Sequence, residues 1–336
     1  MTRRNTRKWG FLVLLAVLLL GCQEEPMEPT ELIAEDRVLD CPLTITLMEM
    51  EGDENRGFPS QLPQEAINRM MAIGEELESE NPDSIVGQLN ASAGIGGVEV
   101  SPEIRWMFEE AVMLSVATEG RFDITIGPVT ELWKAAIEEN RGPNPADLQK
   151  AQKLVEYGHL IFDGNEVSLR TKGMKLDLGS MFRGIMMDEA GEHLMEKGVT
   201  EGVLTWGQDV LYWNTQSSIT THRAVGWNPY SEEPFFQVEL QNQAMVVEGI
   251  ANLTGNGVIP IVEPHTGELS ETDVALVWVI ASTAVEADGV STAAYLMGVA
   301  EGLSFVEKME GVELIYWTKE GQWFTTQGLQ GKVDFL

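Results

Sequence analysis

Between Pro63 and Leu77 apolar residues recur at helical spacing, with Ile67, Met70, Met71, Ile73 and Leu77 gathered towards one side, and the pattern predicts an amphipathic helix. Ser101-Pro102-Glu103 supplies a serine cap, a proline in the first turn and an acidic residue behind it, so a second helix starts there, runs to about Thr118 and stops at Gly120. Pro145 to Tyr157 and Met181 to Lys197 read as further helices. Thr44 to Leu47 has the alternation and β-branching of a strand. Leu160 to Phe162, Val167 to Leu169 and Lys175 to Leu178 read as short strands separated by Gly164 and Gly173. Gly202 to Trp213, Phe235 to Leu240, Val274 to Ser282 and Val312 to Thr318 add more. Strands in runs and helices in runs, without strict βαβ alternation, predict an α+β fold: one large two-lobed domain with mainly antiparallel sheets and packed helices. The pattern holds no internal repeat.

The amino-terminal segment departs from this pattern. Arg3, Arg4, Arg7 and Lys8 precede an unbroken apolar run from Phe11 to Leu20, too short for a bilayer span, which needs about 20 apolar residues. The run ends at Leu19-Leu20-Gly21-Cys22, which reads as a lipobox with Cys22 as the acylated residue. Residues 1–21 are therefore expected to be a lipoprotein signal peptide, and 22–38, opening on Gln23-Glu24-Glu25-Pro26, an acidic tether. The folded domain is expected over 39–336. These features place the protein in a bacterial cell envelope, lipid-anchored and facing the periplasm or exterior. Gln23 after the cysteine favours the outer membrane. Cys41 is then the one thiol of the folded part, so no internal disulfide forms. With 22 Lys and Arg against 53 Asp and Glu, the net charge is −31. Such a surface repels nucleic acid, which is excluded as a partner, and an anionic ligand needs a cation and aimed backbone amides to offset the field.

Two constellations carry candidate chemistry. Asp288 and Thr292 lie four apart in a small-residue helix start, Ala287-Asp288-Gly289-Val290-Ser291-Thr292. That spacing puts both oxygens on one helical face, as a hard-cation site needs; a capping role for Asp288 is the alternative. Asp177-Leu178-Gly179-Ser180-Met181-Phe182-Arg183-Gly184 places a glycine turn before a helix, where free amides and Arg183 favour an anion, or form a plain turn. The four histidines show no zinc-type spacing, no GxGxxG follows a strand, and no GxSxG occurs.

In this order the pieces resemble the FAD:protein FMN transferase family, also called ApbE or thiamine-biosynthesis lipoproteins. Gly120-Arg121-Phe122-Asp123 through Gly127-Pro128 to Leu132-Trp133 is similar to the family's G-x-F-D-x-T-x-G-P-L-x-x-L-W. Leu176 to Ser180 resembles L-D-L-G-G, Thr205 to Asp209 stands where the family has N-x-G-G-D, and Ala287 to Thr292 resembles A-D…T-A. Asp83-Ser84 to Leu89-Asn90 looks like an early S-x-x-x-x-x-N segment. The resemblance implies Mg²⁺ held by Asp288, Thr292 and the Ser180 carbonyl. It implies an FAD site lined by Asn81, Arg121, Phe122, Asp123, Asp177, Arg183 and Ile261. The implied activity is transfer of FMN from FAD to a threonine of an extracytoplasmic electron-transport subunit, releasing AMP. Departures bear on catalysis: the family's H-I-I-D-P-x-T-G is here Pro260-Ile261-Val262-Glu263-Pro264-His265-Thr266-Gly267, and its S-G is Glu248-Gly249. Proline at 260 makes His265, with Glu263 second, the candidate proton acceptor. A flavin-binding lipoprotein without turnover, or an FAD pyrophosphatase, are the other readings.

Overall fold

The computed structural model describes residues 31–50, 58–217, 219–231, 233–249 and 261–336. The chain begins with strands β1 (Leu32–Val38) and β2 (Cys41–Met50), helices α1 (Leu62–Leu77) and α2 (Ile85–Ser92), strand β3 (Gly97–Glu99) and helix α3 (Pro102–Ala117). Helices α4 (Gly127–Glu138) and α5 (Pro145–Gln152) follow, then β4 (Leu160–Asp163), β5 (Glu166–Leu169) and helix α6 (Phe182–Glu196). The second half carries β6 (Val199–Trp206), β7 (Asp209–Asn214), β8 (His222–Trp227), β9 (Pro234–Leu240), β10 (Gln243–Gly249) and β11 (Val274–Ala281). Helix α7 (Ala284–Val306), β12 (Glu313–Thr318), β13 (Trp323–Thr325) and β14 (Val333–Phe335) close it. The architecture is a single α+β domain.

An eight-stranded antiparallel sheet, in the order β1-β2-β6-β7-β10-β11-β12-β13, forms the centre. Helices α6 and α7 pack on one face, with α1 against α6, and the small sheet β14-β9-β8 contributes to the core on the other. Strand β11 shows why the sheet needs both layers. All eight of its residues are buried; Val277, Val279 and Ala281 belong to the helix-side core, Leu276, Trp278 and Ile280 to the opposite one. A strand covered on both faces reads as a continuous apolar run, as Val-Ala-Leu-Val-Trp-Val-Ile-Ala does.

The predicted helices over 63–77, 101–118 and 181–197 match α1, α3 and α6 closely, and Ser101 caps α3 by accepting from the Ile104 amide at 3.2 Å. Three expectations need correction. Residues 32–38, assigned to the tether, form edge strand β1, joined to β2 through Leu39 and Asp40, both at positive φ as a two-residue hairpin turn requires. The helix read from Pro145 to Tyr157 ends at Gln152. Lys175 to Leu178 is no strand: only Lys175 makes a bridge, to Ile126. The Asn90 side chain takes the place of a partner strand, accepting from the Leu176 amide at 2.6 Å and donating to its carbonyl at 3.1 Å. The Asp177 amide goes to the Ile124 carbonyl.

Candidate active site

Helix α7 is capped by Thr283, whose hydroxyl accepts from the Glu286 amide, so Asp288 lies within the helix and is released from a capping role. Asp288 faces α6 instead. Its Oδ2 accepts from the Gly184 amide at 2.9 Å. One turn on, the Thr292 hydroxyl lies 3.5 Å from the Ser180 carbonyl oxygen and 3.3 Å from Glu248 Oε2. The three residues expected to hold a cation are thus brought to the crossing of α6 and α7, and β10 adds Glu248. Burial pushes the Asp288 carboxyl up to about 7; the Gly184 amide opposes this, Asp209 and Glu248 reinforce it, and Arg183 offsets them in part. Among the described residues no three His, Cys, Asp or Glu side chains cluster as a metal set. Carboxylate, hydroxyl and carbonyl oxygens suit a hard divalent cation, which would relieve the buried negative charge.

Arg183, expected near the flavin, pairs with the β6–β7 turn. Its Nε and Nη2 donate to Asp209 Oδ2 at 2.8 and 2.5 Å, Nη2 also reaches the Trp206 carbonyl, and the guanidinium lies 4.3 Å over the Trp206 ring. Burial works against its charge, and Asp209 more than restores it. Asp209 Oδ1 accepts from the Val247 amide. Together they tie the start of α6 to the β6–β7 turn and to β10, the strand that carries Glu248.

A second cluster joins two loops. Arg121 pairs with Glu263 at 3.4 Å and with Glu301 at 3.2 Å. His265 Nε2 lies 2.9 Å from the Glu119 carbonyl oxygen, and Nδ1 lies 3.4 Å from Glu263 Oε1. Trp133 Nε1 donates to the Gly267 carbonyl, and Gln152 to that of His265. Through these contacts His265 bridges the two loops. Glu263, the second candidate proton acceptor, is shared between Arg121 and His265. Phe122 is fully buried near Gly289, and Asp123 uses both oxygens on the Thr125 and Tyr157 amides and the Thr125 hydroxyl. Burial raises the Asp123 carboxyl against those bonds. These two are framework for the loop. Ile261 is partly buried against the main core. Pro260 and Cys22 lie outside the described residues.

A cleft of about 290 Å³ opens beside the loop that ends at Ser180. Asp177, Thr130, Lys134, Glu80 and Asn90 line it. Asp177 Oδ2 accepts from the Thr130 hydroxyl at 2.6 Å and Oδ1 from the Gly179 amide at 2.9 Å, which shapes the turn into Ser180. Lys134 brings a positive charge, paired with Glu80 at 3.0 Å. Asn81, beside the cleft wall, holds an Asx turn to the Asp83 amide. Sequence reasoning did not count Glu248 among the site residues; its only signal was the replacement of S-G by Glu248-Gly249.

Comparison with known proteins gives the family and the fold. The model of the ApbE family matches residues 39–316. A relative named FAD:protein FMN transferase from Vibrio cholerae is 24% identical over 310 residues, covering 90% of this chain and 91% of its own. The ApbE protein of Thermotoga maritima has a similar structure, with a TM-score of 0.78 at 22% identity over 90% of this chain and 99% of its own. The apo flavinyl transferase ApbE of Pseudomonas stutzeri gives 0.78 at 20% identity, covering 92% and 98%. At these identities the structural likeness establishes the fold.

Proposed function

Since the chain belongs to the ApbE family, we propose that it transfers FMN from FAD to a threonine of an extracytoplasmic electron-transport protein, with a divalent cation such as Mg²⁺. The name carried by its relatives supports flavin transfer. The observation that carries the reading is the meeting of Ser180 O, Thr292 Oγ1 and Asp288 at the α6–α7 crossing. These would hold the cation, with the Gly184 amide fixing the rotamer of Asp288. A bound cation supplies Lewis-acid polarisation and neutralises the pyrophosphate. In the transfer, the threonine oxygen bonds to the FMN phosphorus while the bond from that phosphorus to the bridging oxygen breaks. AMP leaves with the bridging oxygen, and the hydroxyl proton ends on the departing phosphate. Proline at 260 takes away the family's histidine, and His265 and Glu263 remain the candidates to accept the hydroxyl proton on its way. The same proline favours the second reading, a flavin-binding protein without turnover; water in place of threonine would make it a pyrophosphatase.

The cation's part is tested by titrating the protein with FAD and following flavin fluorescence. FAD should bind with Mg²⁺ present and weaken roughly tenfold or more, about 1.4 kcal/mol, under a chelator. Equal affinity in both conditions would take the cation out of the reading.

We also propose lipid anchoring at Cys22, from the lipobox-like Leu19-Leu20-Gly21-Cys22. A lipid chain supplies the membrane affinity that an acidic body cannot. Cys22→Ser should shift the protein from the membrane fraction to soluble or unprocessed forms. A processed variant that stays in the membrane fraction would place the anchor elsewhere.

A further inference from the structure

Helices α6 and α7 exchange carboxylates where they cross. Asp288 of α7 accepts from the Gly184 amide near the start of α6, at 2.9 Å. Asp188 of α6 accepts in return from the first two amides of α7, Oδ1 from Ala284 and Oδ2 from Val285, both at 2.8 Å. Four residues, about one helical turn, separate Gly184 from Asp188 and Ala284 from Asp288. The two exchanges therefore flank a point of close approach, where a Cβ on Gly184 would lie 2.4 Å from the Ala284 carbonyl oxygen.

The Asp188 half of this exchange does more than cap a helix. Thr283 already caps α7 from its own chain by accepting from the Glu286 amide. Amides in the first turn of a helix have no partner within it and are ordinarily met by a cap or by water. Here a carboxylate from another helix takes two of them, although burial and the nearby charges of Glu192 and Glu286 work against its ionisation. Two oxygens on two successive amides fix α7 against α6 in translation and in rotation. Asp288 lies one turn beyond Ala284 and Thr292 two, so a slide or rotation of α7 would carry both away from the Ser180 carbonyl.

Resting on the cation-site reading above, we propose that Asp188 is a positioning residue of that site: it locks the start of α7 against α6 so that Asp288 and Thr292 meet the Ser180 carbonyl. It does not touch the cation. A cation would share the Asp288 carboxylate with the Gly184 amide, whereas Asp188 keeps both its oxygens on the start of α7. Losing it lowers cation affinity in a protein that is still folded, which the loss of a plain cap does not.

The test is isothermal titration of the purified full chain with MgCl₂, in the absence of flavin, for wild type, Asp188→Ala, Asp188→Asn, Ser101→Ala and Asp288→Ala. Circular dichroism checks that each variant is folded, and urea unfolding ranks their stabilities. Ser101→Ala removes the cap of α3 and is the structural control. Asp188→Ala should weaken Mg²⁺ by roughly tenfold or more, and Asp188→Asn, which keeps one accepting oxygen, by less. Ser101→Ala should lose stability yet bind Mg²⁺ as wild type does. Should Asp188→Ala not fold, Asp188→Asn carries the test. Folded Asp188 variants with wild-type affinity, beside an Asp288→Ala that has lost the cation, would overturn the positioning role and leave Asp188 a cap. An equal loss of affinity in Ser101→Ala would overturn it too, since any destabilisation would then suffice. If wild type binds no Mg²⁺, or Asp288→Ala binds it as wild type does, the cation-site reading itself fails.

Discussion

Asp288→Asn is expected to abolish cation binding and lower flavin transfer by about 100-fold or more, while making the cation-free protein more stable at neutral and alkaline pH. The two effects have one cause. Burial and the charges of Asp209 and Glu248 raise the Asp288 carboxyl from 3.8 to about 7 in the fold. Below pH 4 it is protonated in both folded and unfolded chains and exerts no pull. As pH rises from 4 to 7 the unfolded carboxyl loses its proton first, so stability falls, and the loss is complete above pH 7. A cation offsets that loss by stabilising the ionised form. Asparagine removes it, and its amide oxygen still accepts from Gly184. Thermal unfolding at pH 5 and pH 8, with and without Mg²⁺, checks this. Wild type should lose stability between the two pH values and recover part of it with the cation, whereas Asp288→Asn should lose less and ignore the cation. Asp188 keeps a residual slope in both proteins: burial lifts its carboxyl to about 7 although it accepts from the Ala284 and Val285 amides. A variant less stable than wild type at pH 8 would contradict the electrostatic origin.

Gly184→Ala should destabilise the fold by about 3 kcal/mol and weaken the cation site with it. An added Cβ would overlap the Ala284 carbonyl and the Val285 Cα, backbone atoms that cannot rotate away. Helix α7 would have to shift relative to α6. The Gly184–Asp288 hydrogen bond and the Asp188 cap at Ala284 and Val285 all lie on that crossing. Urea unfolding of the variant should show a lower midpoint at an unchanged slope, with weaker Mg²⁺ binding by titration. Wild-type stability would mean that the helices do not approach as closely as described.

The segments legible in the sequence are those whose ends carry their own chemistry. Ser101-Pro102 marks the start of α3, and β11 declares its central place by an unbroken apolar run. Helix α4 went unread because its N-cap, Ile126, makes no side-chain cap and Gly127-Pro128 reads as a turn. Strand β1 reads as tether because Glu35 and Asp36 sit in an edge strand whose middle is exposed. In the site, the four-residue spacing of Asp288 and Thr292 was visible, being local to one helix. Glu248 was visible only as a substitution, since its approach to Thr292 depends on β10 packing beneath α7. Arg183 looked like a free cation at a helix start; its partner Asp209 comes from another strand. Side chains paired across long separations are what a single sequence conceals.

The most direct measurement is mass spectrometry of a threonine-bearing acceptor peptide after incubation with the purified protein, FAD and a divalent cation, with AMP quantified alongside. Flavin transfer predicts a peptide bearing covalent FMN on threonine, one AMP for each FMN attached, and no product with Asp288→Asn or under a chelator. Unmodified peptide with FAD bound intact, or free FMN released with AMP, would contradict it.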